Sequence, residues 1–329
     1  MLVDLGILIA GLALLVVGGD TLVRGAAGLA KALGVSSLII GLTLVAFGTS
    51  APELAVNVLA AARGKGDISF GNIIGSNIAN VGLILGLAAM VRPVVVQTQV
   101  IAREIPFMLL ITACAINLGL DELWWGTKWS FDVNDGLTLL MLFAIFLYYS
   151  ASSALEEREA ELEKLPGAGR RSLGTLAALT VLGIVMVGLG GELTVRGAEQ
   201  VALALGVGRE IIGLTIIAFG TSLPELATSL AAAIRKHEDI AIGNIVGSNV
   251  FNLLFILGVT SVIGIVPVPN HGLIDLLVMI GFSAVLLPMC ISHQRTITRW
   301  EGILLVAGYA VYVYVRAVYL GGLAVPSPL

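Results

Sequence analysis

The sequence predicts an all-α integral membrane protein of ten transmembrane helices, arranged as two inverted five-helix repeats with helices broken around buried glutamates. Three observations lead to that prediction. The first is composition. Hydrophobic residues make up 57% of the chain and charged residues 12%, with a mean hydropathy of +1.00, whereas soluble domains are about 25% charged. Charge that sparse cannot coat a soluble chain of 329 residues. The second is duplication. GLTLVAFGTSAPELAVN at 41–57 returns as GLTIIAFGTSLPELATS at 213–229, with 12 of 17 positions identical. GNIIGSNIANVGLILG at 71–86 returns as GNIVGSNVFNLLFILG at 243–258. The third is a glutamate in each copy, Glu53 and Glu225, inside apolar segments long enough to cross a bilayer. An ionisable residue is costly there and marks a functional site.

Apolar runs place the first five spans at 3–31, 36–62, 69–90, 99–119 and 131–154, and the second five at 173–205, 209–234, 239–264, 270–291 and 299–320. The N-terminus lacks a basic region and its first charge is Asp4, so the first run reads as a retained span rather than a cleaved signal. The first and sixth runs exceed the usual length of about 20 residues, which predicts tilting or bending. EEREAELEKLPGAGRR at 156–171 is a solvated linker between a repeat at 1–155 and one at 172–329.

A constant offset of 172 carries Asp20 to Glu192, Arg24 to Arg196, Gly34 to Gly206, Glu53 to Glu225, Asn80 to Asn252 and Gly86 to Gly258. An odd number of spans per repeat makes the second repeat enter from the opposite side. Lys and Arg favour the connections on the linker's side, twelve to six, which puts both termini outside the cell membrane. Trp124, Trp125 and Trp129 in an outer connection read as interfacial anchors. Cys114 and Cys290 lie in apolar segments as free thiols, with no disulfide framework or zinc site. A net charge of −4 gives no reason to expect nucleic-acid binding.

The chemistry begins with a helix starting near Ser36, which reaches Thr49 and Ser50 and then meets Pro52. Proline lacks an N–H and clashes with the carbonyl four residues back, here that of Gly48. The helix must bend or break, and carbonyls from about Ala46 to Thr49 lose partners where water is absent. Glu53 follows Thr49 by four residues and Ser50 by three, so a carboxylate, two hydroxyls and loosened carbonyls share one face. The second copy repeats this with Ala218, Thr221, Ser222, Pro224 and Glu225. These hard oxygens suit sodium and calcium rather than zinc or copper. Ser76 and Asn80, and their counterparts Ser248 and Asn252, are four apart and add further oxygen to one helical face. A lone Ser or Asn would be explained by interhelical hydrogen bonding, and the block glycines by close helix packing. Duplication beside two glutamates favours an ion site. Two ionised glutamates carry −2, which one Ca²⁺ or two Na⁺ neutralise. An empty, doubly charged site would resist crossing the membrane, a physical reason for obligatory exchange.

The paired GTSxPE and GNxxGSN blocks resemble the α-repeats of the cation/Ca²⁺ antiporter superfamily, closest to its prokaryotic Na⁺/Ca²⁺ exchanger branch, and the resemblance covers the whole chain. It implies a monomeric antiporter of the cell membrane, not an enzyme, that needs no cofactor and carries Ca²⁺ and Na⁺ as substrates by alternating access. It further implies that Glu53 and Glu225 are shared calcium ligands that also touch sodium, completed by the carbonyls of Thr49 and Thr221. Sodium sites would use Ala46, Ser50 and Ser76 on one side and Ala218, Ser222 and Ser248 on the other, with Asn80 and Asn252 lining the middle. The first and sixth helices would slide as a gate, with Asp20 and Glu192 as structural or gating residues. Some members carry Asp where this chain has Asn252, which leaves proton handling and stoichiometry open. H⁺/Ca²⁺ or K⁺-dependent exchange is the alternative reading. A channel would need a continuous pore. An intramembrane protease would need a Ser–His or Asp–Asp pair at depth, and His237, His271 and His293 fall at helix ends or connections.

Overall fold

The computed structural model describes residues 2–120, 129–162, 172–205 and 220–318. Its helices are α1 (Leu2–Leu33), α2 (Ser37–Thr49), α3 (Ala51–Ala62), α4 (Gly66–Val91), α5 (Val100–Gly119), α6 (Val133–Leu162), α7 (Leu173–Ala204), α8 (Leu223–Ile234), α9 (Glu238–Ile263), α10 (Gly272–Ile291) and α11 (Arg299–Val318). Eight of the described helices are long and apolar enough to cross a membrane, or nine if the bent pair α2–α3 is one span. α8 is shorter, and the rest of the predicted span at 209–234 lies partly outside the described residues, as do Trp124 and Trp125.

The two longest helices, α1 and α7, have 32 residues each and pack against one another along glycines. Gly11, Gly18 and Gly25 on α1 match Gly183, Gly190 and Gly197 on α7, each pair 172 apart. A Cβ built on Gly11 would lie 2.5 Å from the Thr194 nitrogen, and one on Gly25 would lie 2.6 Å from that of Thr180. Reciprocally, a Cβ on Gly183 would meet the Leu22 nitrogen at 2.5 Å, and one on Gly197 would meet that of Leu8 at 2.5 Å. The helices therefore run antiparallel, and the contact maps onto itself under the 172-residue offset. In lipid the apolar surface gains nothing from mere association, so close backbone approach through small residues supplies the contact.

α4 and α9 form the centre. Their apolar windows are 78% and 94% buried, against 39% or less for the other spans. Both contain a π-helical turn, Asn80–Leu85 in α4 and Phe251–Ile256 in α9. Such turns are rare and cluster at functional sites. α2 carries another at Gly41–Val45. A spacing of 3.6 residues per turn gives no sign of them.

The prediction of an all-α chain needs one correction. β1 (Val94–Val95) pairs antiparallel with β4 (Thr296–Ile297), and β2 (Ser130–Phe131) with β3 (Val266–Pro267). Proline explains where helix stops. Arg92, before Pro93, is extended at φ −147°, ψ 128°, as a residue preceding proline prefers. Each ladder joins a connection of the first half to one of the second.

Candidate cation site

The first half supplies a broken helix, and the described part of the second half repeats its turn. At Ser50 the backbone leaves the helix at φ −84°, ψ 6°, and α2 and α3 meet at a 46° bend. Ser222 has nearly the same geometry, φ −88°, ψ 5°. Pro52 and Pro224 stand in the first turn of the helix that follows, where a missing N–H is harmless. The break is tighter than the sequence implies. The Ala46 carbonyl still accepts the Ser50 N–H at 3.0 Å, so the loosened stretch starts later, with Gly48, which Pro52 cannot serve. Glu53 and Glu225 therefore open new helices, α3 and α8, at the end where the helix dipole favours a carboxylate.

The two halves meet crosswise. Ser50 donates to Glu225 Oε1 at 3.0 Å and lies 3.2 Å from Ser248 Oγ. In the mirrored contact Ser222 lies 3.3 Å from Ser76 Oγ. Thr49 donates to Asn244 Oδ1 at 3.1 Å, and Asn72 donates to Thr221 Oγ1 at 3.1 Å, again a reciprocal pair. Asn80 donates to Asn249 Oδ1 at 3.0 Å.

Of the twelve residues expected at the site, eleven are described. Ala46, Thr49, Ser50, Glu53, Ser76, Asn80, Ser222, Glu225, Ser248 and Asn252 are buried, and Thr221 is half-buried. Ala218 lies outside the described residues. Four of these site residues have a buried oxygen with no hydrogen-bond partner among the described residues: Glu53 Oε2, Glu225 Oε2, Asn80 Oδ1 and Asn252 Oδ1. A buried acceptor without a partner costs about 1–3 kcal/mol, more when charged. All four come from the duplicated blocks, two from each half. No group of three or more His, Cys, Asp or Glu among the described residues could hold a metal, so any ion here would rest on two carboxylates and neutral oxygens.

Sequence reasoning missed Asn72, Asn77, Asn244 and Asn249, which tie the halves together. The signal was present. Asn72, Ser76 and Asn80 are spaced by four, as are Asn244, Ser248 and Asn252, so each stripe extends one turn further than was read. Asn57 and its counterpart Ser229 were also missed. They lie one turn beyond the glutamates and differ from each other.

Outside this cluster, Asp20 pairs with Arg24 at 2.9 Å and with Arg235 on α8's far end. The offset maps these onto Glu192, Arg196 and Arg63. Glu192 pairs with Arg196 at 2.6 Å, but Arg63 and Glu192 do not pair. The packing shows the same asymmetry. A Cβ on Gly19 of α1 would meet the Ala227 carbonyl at 2.8 Å, burying Thr228. The counterparts Ala55 and Val56 on α3 are exposed.

Comparison with known proteins agrees with the geometry. The chain matches the family described as sodium/calcium exchanger protein over residues 3–151 and 175–318. It is 36% identical to a putative antiporter CaxA of Alkalimonas amylolytica, over 95% of this chain and 98% of that one. It is 34% identical to the sodium/calcium exchanger MaX1 of Methanosarcina acetivorans, over 94% and 97%. Among solved structures it superposes on the sodium-calcium exchanger NCX_Mj, soaked with zero Na⁺ and Ca²⁺, with a TM-score of 0.83 and 35% identity, over 95% and 99%.

Proposed function

The chain belongs to the sodium/calcium exchanger protein family, and from that membership we propose that it exchanges Na⁺ for Ca²⁺ across the cell membrane by alternating access at one midplane cluster of oxygens. The observation that carries this reading is the set of four unpartnered buried oxygens, two carboxylate and two amide, drawn equally from both halves. Hard cations satisfy such oxygens, and a formal charge of −2 matches one Ca²⁺ or two Na⁺.

In this reading Glu53 and Glu225 ligate calcium with the carbonyls of Thr49 and Thr221. Ser50, Ser76 and Ala46 hold sodium on one side, Ser222, Ser248 and Ala218 on the other, and Asn80 and Asn252 line the centre. Ten spans form two inverted repeats, 1–155 and 172–329, joined by a cytoplasmic linker at 156–171. Both termini face outward, and the protein works as a monomer. The reciprocal α1–α7 contact and the crosswise ladders support the inverted symmetry. The one-sided Asp20–Arg235 clasp supports alternation: α1 is closed onto α8 by a pair that its symmetry mates Glu192 and Arg63 do not make.

The test is radioactive Ca²⁺ uptake into sodium-loaded vesicles containing the purified protein, at fixed pH, with and without K⁺. Uptake should follow the Na⁺ gradient alone. Uptake driven by a proton gradient, or strictly requiring K⁺, would replace Na⁺ coupling with one of those alternatives. Glu53→Gln and Glu225→Gln should each abolish exchange, and wild-type exchange in either would refute the site.

A further inference from the structure

The geometry points to Asn57 as a positioning residue of the cation site, one that makes the two half-sites unequal. The inference rests on the reading of Glu53 and Thr221 as cation ligands. Asn57 is fully buried on α3, one turn after Glu53. Its side-chain nitrogen donates to the Glu53 carbonyl at 2.7 Å and to Asn72 Oδ1 at 2.7 Å. A main-chain carbonyl only accepts, so the amide cannot be reversed without setting oxygen against oxygen. Its own Oδ1 is buried with no partner among the described residues. Asn57 thus keeps this orientation even though it strands an acceptor, which marks the donors as the reason for it.

The consequence passes along the chain of bonds. With Oδ1 of Asn72 held by Asn57, only the Asn72 nitrogen is left to face Thr221, and it donates to Thr221 Oγ1 at 3.1 Å. The Thr221 oxygen now accepts, so its single proton is left to turn toward Glu53, whose Oε2 is buried without a partner among the described residues. The chain of bonds begins at the Glu53 main chain and ends at Thr221, with the donor left over for the Glu53 carboxylate.

The other half has no such constraint. Ser229 takes the place of Asn57 and receives the Asn244 nitrogen at 3.0 Å. A hydroxyl both donates and accepts, so Ser229 would also accommodate Asn244 reversed. In the arrangement present Thr49 donates to Asn244 Oδ1 rather than receiving from it. One half carries a fixed relay beside its carboxylate, the other a relay that is free to reverse.

The experiment measures half-saturating Ca²⁺ and Na⁺ separately in vesicles, for Asn57→Ser, Ser229→Asn and the two combined. Asn57→Ser installs the reversible hydroxyl in the first half. It should raise half-saturating Ca²⁺ about tenfold, the scale of one hydrogen bond to a charged group, with a much smaller change for Na⁺. Ser229→Asn keeps Asn57 and should lower half-saturating Ca²⁺. The double swap moves the fixed relay to the other half and should restore most of the Ca²⁺ affinity. Equal shifts for both ions, no shift in Asn57→Ser, weaker Ca²⁺ binding in Ser229→Asn, or a double swap as poor as Asn57→Ser would each overturn the relay. Failure of the site itself would appear separately, as exchange surviving in Glu53→Gln.

Discussion

Asn252 sits where the resemblance allows an aspartate, and its Oδ1 is one of the four unpartnered oxygens. Asn252→Asp adds a third carboxylate to a cluster of charge −2. While protonated, the new group is neutral and close in shape to the native amide. Once ionised, it raises the cluster to −3. Exchange by the variant should therefore match wild type at low pH and diverge as pH rises, checked by Ca²⁺ uptake across a pH series. A parallel profile would mean that position 252 does not meet the ions. The glutamates were legible in the sequence because a charge among apolar residues needs no partner to stand out. Asn72 and Asn244 were not, because a polar residue on a helix declares its role only when its neighbour across the interface is known.

The bent helices and the glycine stripe carry the mechanics at the level of elements. Pro52 was read correctly as a helix breaker, yet the break falls at Ser50, where the backbone takes up the turn. Pro52→Ala restores a donor to Gly48 and should straighten the α2–α3 junction, moving Glu53 off its partners and weakening Ca²⁺ uptake more than protein stability. A thermal melt alongside the uptake assay separates the two. Gly18→Leu would drive a side chain into Met186 and Val187, where even a Cβ would be 2.7 Å from the nearest atom. Overpacking of this kind costs about 1–3 kcal/mol, so the variant should melt earlier and exchange poorly. Gly71→Ala, whose Cβ meets no described atom within 4 Å, serves as the tolerant comparison. The π turns in α4 and α9 were invisible in advance because the period of the apolar residues does not encode them.

Symmetry and its breach are visible at the level of the whole molecule. Asp20, Arg24 and Arg235 have exact counterparts in Glu192, Arg196 and Arg63, but only the first set forms the clasp between helices. Arg235 and Asp20 are each about a third exposed, so the pair contributes on the order of 1 kcal/mol at most. That suits a contact broken in every cycle. Asp20→Asn should loosen the closed end and raise thiol labelling of Ala227→Cys, in a background without Cys114 and Cys290, by up to about fivefold. A combined Asp20→Arg and Arg235→Asp exchange should return labelling toward the unmodified level. Unchanged labelling in Asp20→Asn would remove the clasp from the mechanism.

The sequence by itself determined the membrane setting, the duplication and the prolines that interrupt helices beside two buried glutamates. These follow from composition, from covalent geometry at proline and from a repeat that needs no alignment beyond a constant offset. Only the tertiary structure decided that the halves bind crosswise, with Ser50 on Glu225 and Ser222 beside Ser76. It also decided that Asn57 fixes a run of hydrogen bonds which Ser229 does not, and that Asp20 pairs with Arg235 while the counterparts Glu192 and Arg63 do not pair. The physical reason is that two nearly identical halves have nearly identical local preferences. Their difference lies in contacts between segments some 150 to 200 residues apart, which no local stretch encodes.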